Sequence, residues 1–159
     1  RILPTDLPVV LDIAGKGPLE ADVVAAAAAD PRIRFHGFVT ADAKHALFSQ
    51  ADVFVLPSLW YENAPVVIVE AAAYGLGIIA SRIGAIPEFV EHERTGLLFE
   101  PGSAEDLART ITRLAGEPSL MSRFRSESSG VANRFTVEAM ADAYEAAYAA
   151  AAAERKGDR

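Results

Sequence analysis

The chain has 159 residues, no cysteine, and 15 Lys plus Arg against 22 Asp plus Glu, a net charge of −7. That balance excludes a general nucleic-acid binder, which must meet phosphates with positive charge; the missing cysteines exclude disulfide scaffolds, thiolate zinc sites and Cys nucleophiles. Hydrophobic residues make up 51% of the chain, enough for one real core and too many for a disordered segment.

Short apolar runs alternate with helical patterns. A strand is expected over 8–14 (PVVLDIA), ended by Gly15-Lys16-Gly17. A helix over 18–30 opens on a proline and stops at Asp30-Pro31. A strand over 32–36 and a helix over 40–50 follow, with Thr40 expected as the cap. Residues 52–56 (DVFVL) read as a strand cut off by Pro57. The run Val66 to Val69 has the composition of a strand. Asn63 and Pro65 before it, the alanines after Glu70 and the stop at Gly75 make 65–74 a helix instead. Strands over 77–81 and 95–99 enclose a short helix over 86–92. Helices over 104–115, 118–133 and 136–153 complete one domain spanning 1–153, and 154–159 read as a frayed, charged tail. Buried strands alternating with helices predict an α/β fold with a parallel sheet.

No apolar run reaches the ~18 residues of a membrane span. Residues 1–4 (RILP) carry no start Met, basic n-region or apolar h-region, so no signal peptide is expected and the chain reads as the interior of something longer. His36, His45 and His92 lack ligand spacing and no Asp-x-Asp occurs, so neither metal nor cofactor is expected. Gly15-Lys16-Gly17 lacks the spacing of a Walker loop, and Ser58 lacks a nucleophile elbow. Trp60 and Tyr61 either line a ligand pocket or pack, and beside a Pro turn packing is the expectation; Arg123-Phe124-Arg125 is expected to lie on a solvated helix face.

The segment with most chemical content is 56–71 (LPSLWYENAPVVIVEA). Glu62 and Glu70 lie on either side of a helix start, roughly 10 Å apart along its axis. That is too far for two carboxylates sharing one reacting bond. It suits two grips on one extended polar ligand, with free N–H groups and a positive dipole end between them for phosphate. On spacing alone, a helix-capping Glu62 and a solvated Glu70 serve equally well.

The segment resembles the E-x7-E motif of retaining GT-B glycosyltransferases, family 4, also called glycosyl transferases group 1. Leu11 to Pro18 (LDIAGKGP), Ile33 to Val39 (IRFHGFV), Ala51 to Ser58 (ADVFVLPS), Ser81 to Val90 with Gly84 and Glu88, and Thr95 to Phe99 (TGLLF) are similar to the same family, in the same order. The resemblance implies a Rossmann-like parallel sheet with flanking helices, the C-terminal half of a GT-B fold. It implies a nucleotide-sugar as donor substrate, transferred with retained configuration and without a metal. Glu70 would hold the ribose hydroxyls and Glu62 the transferred sugar. Asn63, Ala64, Pro65, Val66 and Val67 would bring backbone to sugar and diphosphate. Phe38 and Val39 would flank the base, Gly15 and Gly17 would let the chain pass close to the donor, and Lys44 and Ser58 are further donor-binding candidates.

The sequence departs from the family in having Gly77 where Pro is frequent and Gly84-Ala85 where a glycine pair is common. Residues 1–8 look like the end of a helix, so the family's opening strand, its two basic residues and the acceptor-binding half are expected outside the chain. The chain by itself is then expected to transfer no sugar. A cytoplasmic location is expected, with any contact at the inner face of the membrane made through the absent half. The alternatives are a nucleotide-sugar epimerase of similar fold and a binding module without catalysis.

Overall fold

The computed structural model describes residues 2–157. In chain order the elements are β1 (Leu11–Ile13), α1 (Glu20–Ala29), β2 (Ile33–Phe35), α2 (Ala41–Gln50), β3 (Val53–Leu56) and α3 (Val66–Ala73). They continue with β4 (Gly77–Ser81), α4 (Ile86–Phe89), β5 (Gly96–Phe99), α5 (Ala104–Gly116), α6 (Pro118–Asn133) and α7 (Val137–Gly157). The expected alternation holds, and the ambiguous run at Val66 is helix, as its flanking stop and start residues predict.

All strand pairs are parallel, in two sheets. β1 pairs with β2, with Leu11 opposite Ile33 and Ile13 opposite Phe35. β4 lies between β3 and β5, with Leu56 opposite Ala80 and Ser81 opposite Phe99. Among the described residues no strand joins β1 to β3. Gly96 allows the close register of β5, because a Cβ there would stand 2.5 Å from the Ile78 carbonyl oxygen.

The core lies on the two faces of β4. Ile78 and Ala80 pack with Ile68 and Ala72 of α3, Ile86 and Phe89 of α4, and Val131 of α6. Ile79 packs on the other side with Leu97 and Phe99 of β5, Leu114 of α5, and Leu120 and Phe124 of α6. Alternate residues of one strand point to opposite faces, so one strand serves both clusters. Ser128 of α6 donates to the Leu76 and Phe124 carbonyls at 2.7 Å each and fixes that helix to the chain entering β4. Neither α1 nor α2 contains a fully buried residue. Polar contacts also hold the N-terminal part together. The Arg32 guanidinium forks onto buried Asp30 at 2.9 and 3.1 Å and reaches the Pro4 carbonyl at 2.8 Å.

Several expectations change. Residues 2–8 form no helix, only a turn. Thr40 stands at the start of α2 but its side chain makes no capping bond. Phe124 is fully buried rather than solvated, with Arg123 and Arg125 turned outward to Glu93 and Asp52. α7 extends to Gly157, past the expected end at 153, and the last two residues of the expected tail lie outside the described ones. Its Val137, Met140, Tyr144 and Tyr148 are all exposed. Among the described residues no helix is long and apolar enough to cross a membrane.

Amide exchange should follow this uneven packing. The β4 and β5 amides should exchange only through global opening. Those of α1 and α2 should exchange by local opening, at least ~10-fold faster. Uniform protection measured by mass spectrometry would contradict the assignment of the core to β4.

Candidate functional site

The candidate residues lie beyond the carboxyl ends of parallel strands, where ligands bind in open α/β sheets. Gly15 and Gly17 form the turn after β1, and Phe38 and Val39 follow β2. The Gly15 N–H donates to the Gly37 carbonyl at 2.7 Å, which ties these two turns together. A Cβ at Gly15 or Gly17 would meet no atom within 4 Å, so the space above this turn is open. Phe38 is exposed and Val39 partly buried.

Ser58, Glu62, Asn63, Ala64 and Pro65 form the connection from β3 to α3, and Val66, Val67 and Glu70 lie on α3. Pro65 occupies the cap position with no side-chain capping bond, so Glu62 does not cap this helix. Its carboxylate instead accepts the Ser58 hydroxyl at 2.9 Å. The Val66 N–H donates to Ala64 and the Ile68 N–H to Pro65. The N–H groups of Asn63, Ala64 and Val67 have no acceptor among the described residues. A helix start with unmet donors attracts an anion through both hydrogen bonding and the helix dipole.

Glu70 is partly exposed and ion-paired rather than free on a solvated face. Lys44, from α2, places its ammonium 2.8 Å from one carboxylate oxygen and 2.9 Å from the other. Each candidate carboxylate therefore has a donor of its own, Ser58 for Glu62 and Lys44 for Glu70. Trp60 and Tyr61 are 79% and 74% exposed, so the expectation that they pack is wrong; they stand in solvent beside Glu62. A shallow concavity lined by Ala72, Ala73, Gly75, Arg125, Ala132 and Asn133 touches none of the candidate residues. It holds no carboxylate and no free helix start, so the chemistry lies elsewhere.

Gly84 and Ala85, not among the candidate site residues, hold the Glu62 backbone. Gly84 has φ of +55°, and a Cβ on it would stand 2.5 Å from Glu62 O and 2.8 Å from Glu62 N. The next N–H, that of Ala85, donates to Glu62 O at 2.8 Å. The loop after β4 thus fixes the loop after β3 by direct backbone contact. The signal in the sequence was a glycine shortly after a strand; its partner could not be read.

The sequence matches the family described as glycosyl transferases group 1 over residues 1–117. The amylovoran biosynthesis glycosyltransferase AmsK of Erwinia amylovora is 35% identical over 111 residues, 65% of this chain and 27% of that protein. The D-inositol 3-phosphate glycosyltransferase of Streptomyces bingchenggensis is 34% identical over 116 residues, 70% of this chain and 25% of that protein. The chain thus spans about a quarter of the length of the curated relatives it matches. Among solved structures, Anabaena HepE in complex with UDP superimposes with a TM-score of 0.76 at 25% identity, covering 92% of this chain and 43% of that one. Sucrose-phosphate synthase from Thermosynechococcus elongatus gives 0.72 at 26%, covering 93% and 47%.

Gly84→Ala should test the loop contact. The substitution places a methyl inside van der Waals distance of the Glu62 backbone and holds alanine at positive φ, which together should cost roughly 1–3 kcal/mol. A lowered urea midpoint with unchanged slope is the expected result, and an unchanged midpoint would deny that the two loops depend on this approach.

Proposed function

Because this chain belongs to the glycosyl transferases group 1 family, we propose that it is the donor-binding half of a retaining glycosyltransferase. The observation that carries this reading is the pair of anchored carboxylates, Glu62 and Glu70, on either side of a helix start with unmet N–H donors. A nucleotide-sugar has matching parts in the matching order. Its ribose diol donates to Glu70, its diphosphate accepts from the first turn of α3, and its sugar hydroxyls donate to Glu62. Phe38 and Val39 flank the base, and the open turn at Gly15 and Gly17 leaves room for the donor to pass. The UDP bound to Anabaena HepE, a structure similar to this chain, supports a ligand of this class.

The acceptor is held by a separate half of the whole protein, in keeping with the quarter of each relative that this chain spans. Retained configuration, which the family resemblance implies, requires attack on the face of the sugar from which the nucleoside diphosphate leaves. Glu62 acts by fixing the sugar's orientation, which turns an encounter in solution into a positioned reaction. The leaving diphosphate collects its negative charge at the helix start, where backbone donors stabilise it without reorganising.

Calorimetry and turnover on the whole protein separate these roles. Glu70→Ala should weaken nucleoside diphosphate binding about tenfold, the loss of charge-assisted bonds to two hydroxyls. Unchanged affinity would end the ribose assignment. Glu62→Gln should slow turnover of a nucleotide-sugar while leaving binding of the free nucleoside diphosphate within about twofold of wild type, since the nucleotide does not reach that carboxylate. Equal losses with both ligands would move Glu62 onto the nucleotide. Transfer activity should also persist in EDTA; activity lost and then restored by Mn²⁺ or Mg²⁺ would count against diphosphate binding by α3 alone.

A further inference from the structure

Glu70 takes both of its hydrogen bonds from one ammonium, that of Lys44, which bridges its two oxygens at 2.8 and 2.9 Å. The pair joins α2 to α3 across 26 positions of sequence. The two side chains are 41% and 38% exposed. An ion pair that open to water contributes little to folding, and α2 has other attachments to the body. His45 bonds the Tyr74 hydroxyl and meets its ring, and Phe48 sets its ring edge against Tyr74 and Phe54. Holding α2 in place does not account for a lysine that meets both oxygens of this particular carboxylate.

A carboxylate offers about four acceptor positions, two on each oxygen. Lys44 occupies one on each. What remains is one position per oxygen, which is the demand of a vicinal diol with its two adjacent hydroxyl donors. We propose that Lys44 is a positioning residue for ribose: it holds the Glu70 carboxylate in one orientation, with one acceptor on each oxygen left for the 2′- and 3′-hydroxyls of a nucleotide. The inference rests on the reading of Glu70 given above. It differs from a donor-binding Lys44 in that the ammonium acts through the carboxylate rather than on the ligand. Preorganising an acceptor in this way lowers the ordering cost that binding would otherwise carry.

The test compares a nucleotide that has the diol with one that lacks it. Whichever of UDP, GDP and ADP binds the whole protein most tightly is titrated beside its 2′,3′-dideoxy analogue. The proteins are wild type, Lys44→Met, Lys44→Arg and Glu70→Gln, with urea midpoints measured for each. Lys44→Met keeps the aliphatic stem and removes the donors. It should weaken binding of the ribonucleotide about five- to tenfold, leave the dideoxy analogue within about twofold, and leave the urea midpoint unchanged. Lys44→Arg, which restores charge and donors, should recover most of the lost affinity. Equal losses for both nucleotides would overturn the proposal, because the ammonium would then act on the diphosphate. A lowered midpoint with the diol preference intact would overturn it in favour of a structural tie. If Glu70→Gln weakens ribonucleotide binding while Lys44→Met does not, the proposal falls and the ribose reading stands. If Glu70→Gln itself leaves the diol preference intact, the ribose reading falls and takes the proposal with it.

Discussion

The burial of β4 is the constraint on which most of the structure depends. All five of its residues are buried, and both of its edges are paired. Its side chains alternate between two apolar clusters, one shared with α3 and α4, the other with α5, β5 and α6. A shift of one residue in register would exchange the contents of the two faces, so the pairing with β3 and β5 is strongly specified. This strand also decides where the loop that follows it lies, and Gly84 in that loop braces the Glu62 backbone. The position of a candidate sugar-binding carboxylate is therefore inherited from a buried strand that presents no ligand-binding side chain itself.

Both carboxylates show the same construction at a smaller scale. Glu62 precedes α3 and Glu70 lies one turn into it, and each has a donor that limits its motion, a hydroxyl four residues earlier for Glu62 and an ammonium from another helix for Glu70. A carboxylate that must accept from a ligand's hydroxyls benefits from a fixed direction, because freezing it at the moment of binding would weaken the complex. Between them, the loop before α3 and its first turn contribute unmet backbone donors rather than side-chain cations. Acceptors at the two ends and donors in the middle form a pattern complementary to a ligand with hydroxyls at both ends and an anion between them.

Much of this was legible in the sequence, and the limits have physical reasons. β4 and α6 fall on the bounds expected for them, because Gly77 opens the one and Pro118 the other. The helical reading of Val66 to Val69 succeeded because start and stop residues outweighed β-branched composition. Phe124 misled: two flanking arginines give it a polar look, but three successive helical residues point in three directions, and only the middle one faces the core. Trp60 misled for the opposite reason, since aromatic character favours packing only where something is there to pack against. The Lys44 to Glu70 contact and the Gly84 approach to Glu62 join segments 26 and 22 residues apart, and no local pattern encodes which partner a side chain will meet.

The apolar residues on α7 bear on how the chain behaves as a solute. Val137, Met140, Tyr144 and Tyr148 recur at intervals of three or four, so they line one side of the helix, and Tyr144 and Tyr148 stack on each other. Opposing this attractive stripe is a net charge of −7, which keeps like molecules apart. The two forces respond differently to the medium. Charge repulsion reaches only about 8 Å at physiological ionic strength and less in stronger salt, whereas apolar attraction is preserved or strengthened by salts excluded from protein surfaces. The colloidal balance of this chain thus shifts toward contact as salt rises, through a helix that carries none of the candidate site residues.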